Sequence, residues 1–313
     1  MSENVSVIMI SHNRQNFLKK SIESILNQTY LDFEFIIIEN GSVDNSKEII
    51  NNYAAQDKRI KVIETTEVSI GRARNIGIDV AIGTYIMFVD DDDYAYPDMI
   101  EFLVDLHHKY VCDISVCGSV RTCGGIDQPY FVYNETYELN SAEATIEFMK
   151  RKLYNAPMPT KLFRKELFDV VRFEEKGKFD DIRIGYKLFA NALKTVACGQ
   201  VKYSFTEHAG NNSKAARSSN LLYPELLEEY FLAFRERTDY IRKKLPEVYQ
   251  YAQYSEWSYM ISMYDKIVTN DLINCNDQKV FIYGELMNHY YEFTSSPYIK
   301  DFEVQWMNKY IMR

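Results

Sequence analysis

The sequence predicts an α/β protein with a mostly parallel central sheet, followed by a small helical domain. Up to Val89, short apolar runs alternate with amphipathic segments, the pattern of strands joined by crossover helices. Polar residues directly follow several of these runs. From about Asn220 onward, aromatic and aliphatic residues recur at helical spacing instead. We therefore divide the chain into a sheet-forming domain of residues 1–218 and a helical domain of residues 219–313.

Four apolar runs predict the strands of the sheet: Val5–Ile10, Phe33–Ile38, Ile60–Ile63 and Tyr85–Val89. Amphipathic segments between them predict three helices: about Gln15–Asn27, about Ser46–Tyr53 and about Ile70–Ala81. Parallel strands need long crossover connections, so this alternation predicts helices on both faces of the sheet. The carboxyl ends of such strands carry ligand groups, and here three of them are polar.

Further helices are predicted along the rest of the chain: about Ser141–Lys152, Ile182–Leu193, Asp277–Phe293 and Tyr298–Ile311. Pro246 suits the first turn of another helix. Aromatic stripes of this kind usually form a core, but they could also form a subunit interface or a wall on which a ligand stacks.

The composition excludes several classes of protein. The 313 residues carry a net charge of −9, and no basic face suggests a nucleic-acid partner. The five cysteines lack CxxC spacing, so zinc is disfavoured and reduced thiols are expected, with Cys112, Cys117 and Cys123 in the core. No signal peptide and no membrane-length apolar stretch is evident. A cytoplasmic protein is expected, free or associated with the inner face of the membrane.

The four consecutive acids Asp90–Asp93 follow the apolar run Tyr85–Val89. Grouped carboxylates repel one another, and a hard divalent cation such as Mg²⁺ or Mn²⁺ would compensate them. A solvated acidic loop is the alternative interpretation. Neither GxGxxG after a strand nor GxxxxGK[ST] occurs, which disfavours a dinucleotide fold and a P-loop. The interpretation that remains is a parallel-sheet protein that holds phosphates through a metal.

Several motifs, in order, resemble family 2 glycosyltransferases of the GT-A fold. These are Val5–Asn13, Ser24–Tyr30, Ile38–Asp44, Gly71–Gly77 and Gly83–Asp93. The resemblance is close over roughly the first third of the chain, thins, and returns at Pro159–Arg164, Phe179–Asp181 and His208. Together the motifs are specific for the family but not for the sugar.

The resemblance implies roles for individual residues. Asp181 would be the catalytic base, with Asp180 orienting substrate or capping the helix that follows. Asp92 would ligate Mn²⁺ or Mg²⁺ with His208 nearby, and Asp90 would face the ribose or the metal. The remaining nucleotide-binding residues would be Ile10, His12, Asn13, Glu39, Arg74 and Asp91. Asn211, Ser213 and Lys161 would lie on the diphosphate or acceptor side.

Two motifs depart from the family pattern. Ile10–Asn13 stands where a Pro-Thr-Tyr-Asn type of turn is common, and Glu39–Ser42 replaces the usual Asp-Asp-Gly-Ser. Glu39 can accept the hydrogen bond that an Asp would accept from uracil, although its extra methylene shifts the base. UDP is the expected nucleotide.

Simpler interpretations exist for several of these residues. His12 could cap the first helix, and the acid pair Asp180 and Asp181 could cap the helix after it, which is compatible with catalysis. His208 could be an ordinary loop residue. The basic cluster around Lys161 could face an anionic ligand or merely solvent: it comprises Arg151, Lys152, Lys161, Arg164 and Lys165. His107, His108 and Arg72 are expected at the surface.

The expected function is that of an inverting, metal-dependent glycosyltransferase. It would move a sugar from a nucleotide sugar to a hydroxyl of a glycan or lipid-linked glycan in surface-polysaccharide synthesis. The helical domain is predicted to serve acceptor binding or oligomerisation, with its aromatic residues as a sugar-stacking wall or a subunit interface. A sugar nucleotidyltransferase is one alternative, but it usually has a Gly-rich basic loop after the first strand, and Ser11–Arg14 is not one. A non-catalytic nucleotide-sugar-binding scaffold is the other, and the joint presence of Asp90, Asp92, Asp181 and His208 argues against it.

Overall fold

The computed structural model describes residues 4–177, 179–208 and 222–312. These residues form two compact units, the first ending at His208. The domain boundary predicted at residue 218 lies outside the described residues. Each unit has its own buried apolar residues.

The first unit contains ten strands. They are β1 (Val5–Ser11), β2 (Phe33–Asn40), β3 (Ile60–Thr65), β4 (Tyr85–Asp90), β5 (Tyr94–Ala95), β6 (Ile114–Cys123), β7 (Ile126–Phe131), β8 (Thr136–Asn140), β9 (Lys161–Arg164) and β10 (Lys194–Glu207). Its helices are α1 (Leu18–Leu26), α2 (Ser46–Ala54), α3 (Ile70–Val80), α4 (Met99–Tyr110), α5 (Ser141–Lys150), α6 (Leu167–Val170) and α7 (Asp180–Asn191). The predicted strands and helices are present, with ends that differ by a few residues.

One sheet organises the first unit, and its first half is parallel as predicted. The order β3-β2-β1-β4 is joined by parallel pairings, with Val5 of β1 opposite Phe33 of β2 and Tyr85 of β4. Apolar side chains cover both faces of β1 and β2, because helices pack on each side. Isoleucines and phenylalanines at successive positions, without polar alternation, therefore form central strands.

The second half of the sheet mixes strand directions, which the sequence analysis did not predict. Strand β9 runs antiparallel between β4 and β6, and β10 continues parallel to β6. The short strands β5, β7 and β8 add antiparallel pairings to β10 and β6. Their sequences are short or largely exposed, so they lack the apolar runs from which the first four strands were predicted.

The second unit is helical, as predicted. Its helices are α8 (Pro224–Lys244), α9 (Tyr249–Thr269), α10 (Asn276–Asn288), α11 (Tyr290–Thr294) and α12 (Asp301–Tyr310). The aromatic stripes do form a core, with Phe231, Trp257 and Phe293 buried. Where a single helix was predicted over 277–293, the structure has two, because the helix is interrupted at His289. In residues 4–177, 179–208 and 222–312, no helix is both long and apolar enough to cross a membrane.

Two predictions, one that a residue is exposed and one that a residue is buried, were wrong. His107 is buried on the inner face of α4, where its Nε2 donates to the Leu162 carbonyl at 3.1 Å and its ring lies 4.6 Å from that of Tyr85. Burial lowers the pKa of His107 to about 4, so the imidazole is neutral. Cys123, predicted in the core, is exposed at the end of β6, whereas Cys112 and Cys117 are buried.

Candidate functional site

The polar ends of three parallel strands meet at one edge of the sheet. The register places Ile10 of β1 opposite Ile38 and Asp90, and Ser11 opposite Glu39. The residues that follow β1, β2 and β4 therefore come together, as the sequence predicted. Ile10 itself is half-buried at the end of its strand.

Asp92 lies at the centre of a small polar cluster. His208 Nε2 is 2.9 Å from one Asp92 carboxylate oxygen, and Arg14 Nε is 3.7 Å from the same oxygen. The His208 ring stacks on Phe17 with centroids 4.2 Å apart. Residues 116 positions apart are thus brought together, and His208 is an ordered member of the site rather than a plain loop residue.

The other three acids of the run take different environments. Asp91 accepts hydrogen bonds from the His12 backbone N–H and from Arg14 Nε, each at 3.4 Å. Asp93 turns inward, where it accepts from the Thr206 backbone N–H at 2.7 Å and from the Tyr203 hydroxyl. The alternative of a solvated acidic loop is wrong, because Asp91 and Asp93 are buried.

Burial, reinforced by the neighbouring carboxylates, raises the pKa values of these acids. The pKa of Asp90 rises to about 8 and that of Asp91 to about 7, although Arg74 and Arg14 act in the opposite direction. The pKa of Asp93 is also raised, by burial first and by Asp90 and Asp92 second. The protein's own cations therefore leave this edge of the sheet with excess negative charge.

The donor set suits a hard divalent cation. Asp92 and His208 offer a carboxylate oxygen and an imidazole nitrogen within 2.9 Å of each other. Among the described residues, no group of three or more metal-binding side chains is assembled. Mg²⁺ and related ions take one or two protein ligands and complete their shell with phosphate oxygens and water, so two donors beside excess negative charge fit such an ion.

The turn after β2 fixes the expected base-binding side. Glu39 is buried, and its carboxylate accepts from the Ser42 backbone N–H at 2.6 Å. Gly41 has φ +74°, and a Cβ there would lie 2.7 Å from the Glu67 nitrogen, so the turn requires glycine. His12 Nδ1 lies 2.9 Å from the Asn40 carbonyl oxygen, which ties the turn after β1 to this one.

Asn13 completes the link between the two turns. Its side-chain oxygen accepts from the Val43 backbone N–H at 2.9 Å, and its backbone N–H donates to Ser42 Oγ at 3.1 Å. Asn13 has φ +54°, a conformation that Asn tolerates better than most residues. His12 thus bridges strand ends rather than capping α1, whose first residue is Leu18.

Arg74 contacts the acid pair directly. Its Nη1 donates to Asp180 Oδ2 at 2.5 Å and also to Asp181 Oδ1. The guanidinium is buried between the rings of Phe88 and Phe173, at 5.6 and 5.1 Å from their centroids. Arg74 was predicted on the nucleotide side, and the structure places its guanidinium against the predicted catalytic residues instead.

Asp180 and Asp181 lie in the first turn of helix α7, where the helix dipole favours acids, but the N-cap residue is Phe179, whose side chain makes no capping hydrogen bond. Phe179 precedes them in the left-handed region, with φ +65° and ψ +44°, a strained conformation for an aromatic residue. Asp181 is the more accessible of the pair, with a side chain 23% exposed against 14% for Asp180. Burial and the Asp181 charge raise the pKa of Asp180 to about 6, against the opposing effect of Arg74.

Lys161 is not part of a solvated basic cluster. It is fully buried at the start of β9, and its Nζ donates to the Pro157 carbonyl at 2.7 Å and to Asn155 Oδ1 at 3.2 Å. No phosphate or acceptor group could reach the ammonium without movement of this loop. The other two residues predicted beside Lys161, Asn211 and Ser213, lie outside the described residues.

Three side chains of the site were not predicted from the sequence. Arg14, Phe17 and Tyr203 contact or support the acids, and the Asp90 backbone N–H donates to the Tyr203 hydroxyl oxygen at 3.1 Å. Arg14 could have been found, because it belongs to the polar turn after β1. Tyr203 lies 113 positions from Asp90, and nothing local in the sequence marks it.

Comparison with known proteins assigns this arrangement to a family. The family model described as glycosyl transferase family 2 matches residues 6–172. Glycosyltransferase GlyG of Streptococcus pneumoniae serotype 4 is 33% identical over 221 residues, which are 67% of this chain and 73% of GlyG. Glycosyltransferase GlyA of the same organism is 27% identical over 68% of this chain, and the match spans 32% of GlyA.

Solved structures share the fold. The S. aureus TarS 1-349 structure in complex with UDP-GlcNAc aligns with a TM-score of 0.71 and 17% identity, over 91% of this chain and 80% of that chain. Mannosyltransferase PcManGT from Pyrobaculum calidifontis, in complex with GDP-Man and Mn²⁺, aligns with a TM-score of 0.60 and 13% identity, over 98% and 84%. The predicted fold class, a GT-A domain followed by a helical region, is confirmed.

Proposed function

The chain belongs to glycosyl transferase family 2, and from this premise we propose that it moves a sugar from UDP to a glycan hydroxyl with inversion. The observation that carries the proposal is that the acids Asp90–Asp93 and the acid pair Asp180 and Asp181 approach each other at one edge of the sheet. Arg74, whose guanidinium contacts Asp180 and Asp181, also lies 5.6 Å from the ring centroid of Phe88, which stands two residues before Asp90 in β4. The carboxylates proposed for the donor side, Asp90 and Asp92, and the proposed catalytic base Asp181 thus belong to one site.

In the proposed reaction, Asp181 accepts the proton of the acceptor hydroxyl. A sugar hydroxyl is a weak nucleophile, so its proton must leave as its oxygen attacks the anomeric carbon. The new C–O bond forms as the bond from that carbon to the phosphate oxygen breaks, and the electron pair leaves with UDP. Attack opposite the leaving group inverts the anomeric centre. Arg74 holds the acid pair so that Asp181 faces the acceptor.

Asp92 and His208 would hold a divalent cation, Mn²⁺ or Mg²⁺. Such an ion, when bound, offsets the charge that develops on the departing diphosphate. Arg14, which lies within 3.7 Å of both Asp91 and Asp92, would add positive charge on the same side. The metal is supported by the donor set and by the Mn²⁺ in the PcManGT structure.

Nucleotide preference tests the proposed function. We expect UDP and UDP-GlcNAc, with Mn²⁺, to raise the melting temperature more than GDP or GDP-mannose at equal concentration, since ligand binding stabilises the folded state with occupancy. The physical reason for UDP is the Glu39 carboxylate, which can accept from a uracil N–H. UDP-GlcNAc is tried first because TarS was solved with it. A larger shift with GDP, or none with any nucleotide sugar, would contradict the proposal.

Arg74→Lys separates two roles for this residue. If the guanidinium positions the acid pair, a lysine keeps the charge but loses the planar group that lies against the Phe88 and Phe173 rings and places Nη1 between the two carboxylates. We expect hydrolysis of UDP-GlcNAc to fall roughly tenfold to a hundredfold, with little change in the UDP dissociation constant. Calorimetric titration with UDP and a UDP-release assay measure the two quantities. Weaker UDP binding at an unchanged rate would show that Arg74 serves nucleotide binding, as predicted from the sequence.

The acceptor is the second substrate of the proposed reaction. We propose a glycan or lipid-linked glycan of a bacterial surface polysaccharide, because the relatives named above are bacterial glycosyltransferases. The helical unit, with Tyr291 78% exposed and Phe302 44% exposed, would contribute acceptor binding or a subunit contact. Sedimentation of the full chain distinguishes these roles, because a monomer would exclude the subunit contact.

A further inference from the structure

Of the two proposed metal ligands, His208 lies far along the chain from the run Asp90–Asp93. It directly follows β10, which ends at Glu207, and its imidazole reaches Asp92 across 116 positions. Two rotatable bonds join the imidazole to the backbone. Its Nε2 can therefore stay 2.9 Å from the Asp92 carboxylate only if both the backbone and the ring are held. The structure shows contacts of both kinds.

The backbone before His208 is held by the acid run itself. The Thr206 backbone N–H donates to Asp93 Oδ1 at 2.7 Å, and Asp93 is buried. Strand β10 also pairs with β5, the short strand that directly follows the acids. These contacts bring the end of β10 alongside Asp92. They do not set the direction in which the His208 side chain points.

The imidazole of His208 is held by Phe17. The two rings are stacked, with centroids 4.2 Å apart and an interplanar angle of 23°. A stacked ring covers a face of the imidazole, whereas Nε2 lies on the edge and points in the ring plane. Phe17 therefore limits the tilt of the imidazole without competing with a cation for Nε2. The His208 side chain is 14% exposed in this arrangement.

The position of Phe17 is fixed by the turn between β1 and α1. Its backbone N–H donates to the Arg14 carbonyl at 2.9 Å, and the Arg14 backbone N–H donates to Ser46 Oγ at 2.8 Å. In the same turn, Arg14 Nε lies 3.7 Å from the Asp92 carboxylate. One short turn thus brings a positive charge to Asp92 and a stacking face to His208.

We propose that Phe17 is a positioning residue of the metal site, whose ring holds the His208 imidazole so that Nε2 faces a cation beside Asp92. Phe17 acts through His208 rather than on the nucleotide. The inference rests on the proposed function, since it takes His208 as a metal ligand. Residues that orient a metal ligand change metal affinity by roughly tenfold to a hundredfold when they are replaced.

Phe17→Leu tests this role through UDP binding. Leucine keeps an apolar side chain at this half-buried position but has no flat face. With Mn²⁺, we expect the dissociation constant for UDP to rise about tenfold. In EDTA, calorimetric titration should give the same UDP affinity for the variant and the wild type. A merely structural role of Phe17 would instead weaken UDP binding to the same extent under both conditions.

Two further variants serve as controls for the loss of the ring. Phe17→Tyr keeps the stacking face and should recover most of the affinity for UDP with Mn²⁺. Phe102→Leu makes the same substitution at a partly buried residue of α4 that lies outside the site, and it should bind UDP as the wild type does. Failure of Phe17→Tyr to recover binding would overturn the inference.

A double-mutant cycle with His208→Ala shows whether Phe17 acts through His208. If it does, Phe17→Leu should cause no further loss of Mn²⁺-dependent UDP binding once His208 is alanine. Equal losses in the two backgrounds would show that Phe17 acts independently of His208 and would overturn the inference.

NMR of the metal-free protein separates the inference from the proposed function. The His208 ring protons, identified by their loss in His208→Ala, should be shielded by the Phe17 ring and should respond to Asp92→Asn. In Phe17→Leu we expect both the shielding and the response to disappear. A response to Asp92→Asn that persists in Phe17→Leu overturns the inference, whether or not the protein binds Mn²⁺. If UDP binding proves independent of metal while this response is lost, the proposed metal fails and the positioning of His208 by Phe17 stands. If Phe17→Leu does not fold, Phe17→Met, which fills more of the space of the ring, takes its place with the same expected outcomes.

Discussion

Asp181→Asn is expected to lower the hydrolysis of UDP-GlcNAc, and transfer to any acceptor, by about a hundredfold or more. The amide has nearly the same shape as the carboxylate but cannot take a proton from the attacking hydroxyl. It can still accept from Arg74, so the fold and the donor side should be preserved. The dissociation constant for UDP should change little, and UDP release under saturating donor measures the rate.

Asp180→Asn is the matched control for this substitution. Asp180 contacts the same guanidinium but is less exposed, so it is expected to orient its neighbour rather than to meet the acceptor. Its loss should reduce the rate by a smaller factor than the loss of Asp181. An active Asp181→Asn protein would refute the assignment of the base. A product that retains the anomeric configuration of the donor, observed by NMR, would refute single displacement.

The parallel half of the fold could be predicted because its signal is local. Val5–Ile10 and Phe33–Ile38 are each apolar at every position but one, and such runs form strands covered on both faces. Asn40 at the end of β2 and Gly41 directly after it marked the turn, which Gly41 makes with positive φ. The polar strand ends then converge as a consequence of parallel pairing.

The rest of the sheet could not be predicted because its strands are defined by their partners. Strand β9 has four residues, and it becomes a central strand only because β4 and β6 flank it. Its first residue is Lys161, which from sequence belongs to a basic cluster and in the structure is fully buried. His107 was misjudged in the same way, since a histidine pair in a polar stretch does not show which member faces inward.

The site was partly predictable for a related reason. Residue types and their order suggested which side chains take part, and the structure brings Asp92 and His208 to within 2.9 Å of each other. The contacts between motifs were not predictable. Arg74 meets Asp180 across 106 positions and Asp181 across 107, so a residue predicted on the nucleotide side lies against the proposed base.

Removal of divalent metal is the second change with a large expected effect. Four clustered acids with raised pKa values at Asp90, Asp91 and Asp93 indicate that the site lacks a positive charge, which a bound ion would supply. EDTA should therefore abolish most hydrolysis of UDP-GlcNAc and weaken UDP binding. Added Mn²⁺ or Mg²⁺ should restore both.

Asp92→Asn assigns that effect to one side chain. An amide is a poorer ligand for a hard cation and leaves His208 without its anionic partner at 2.9 Å. We expect the rate to fall at least about a hundredfold, in line with the several kcal/mol that a bound ion contributes to a developing charge. Asp105→Asn, on the exposed face of α4, is the matched control and should behave as the wild type.

The decisive measurement is calorimetric titration with UDP at several Mn²⁺ concentrations, because it reports on the site without any acceptor. Metal-dependent UDP binding in the wild type and its loss in Asp92→Asn support the assignment. UDP affinity and hydrolysis that both persist in EDTA would show that Arg14 and the strand ends bind the diphosphate without a metal.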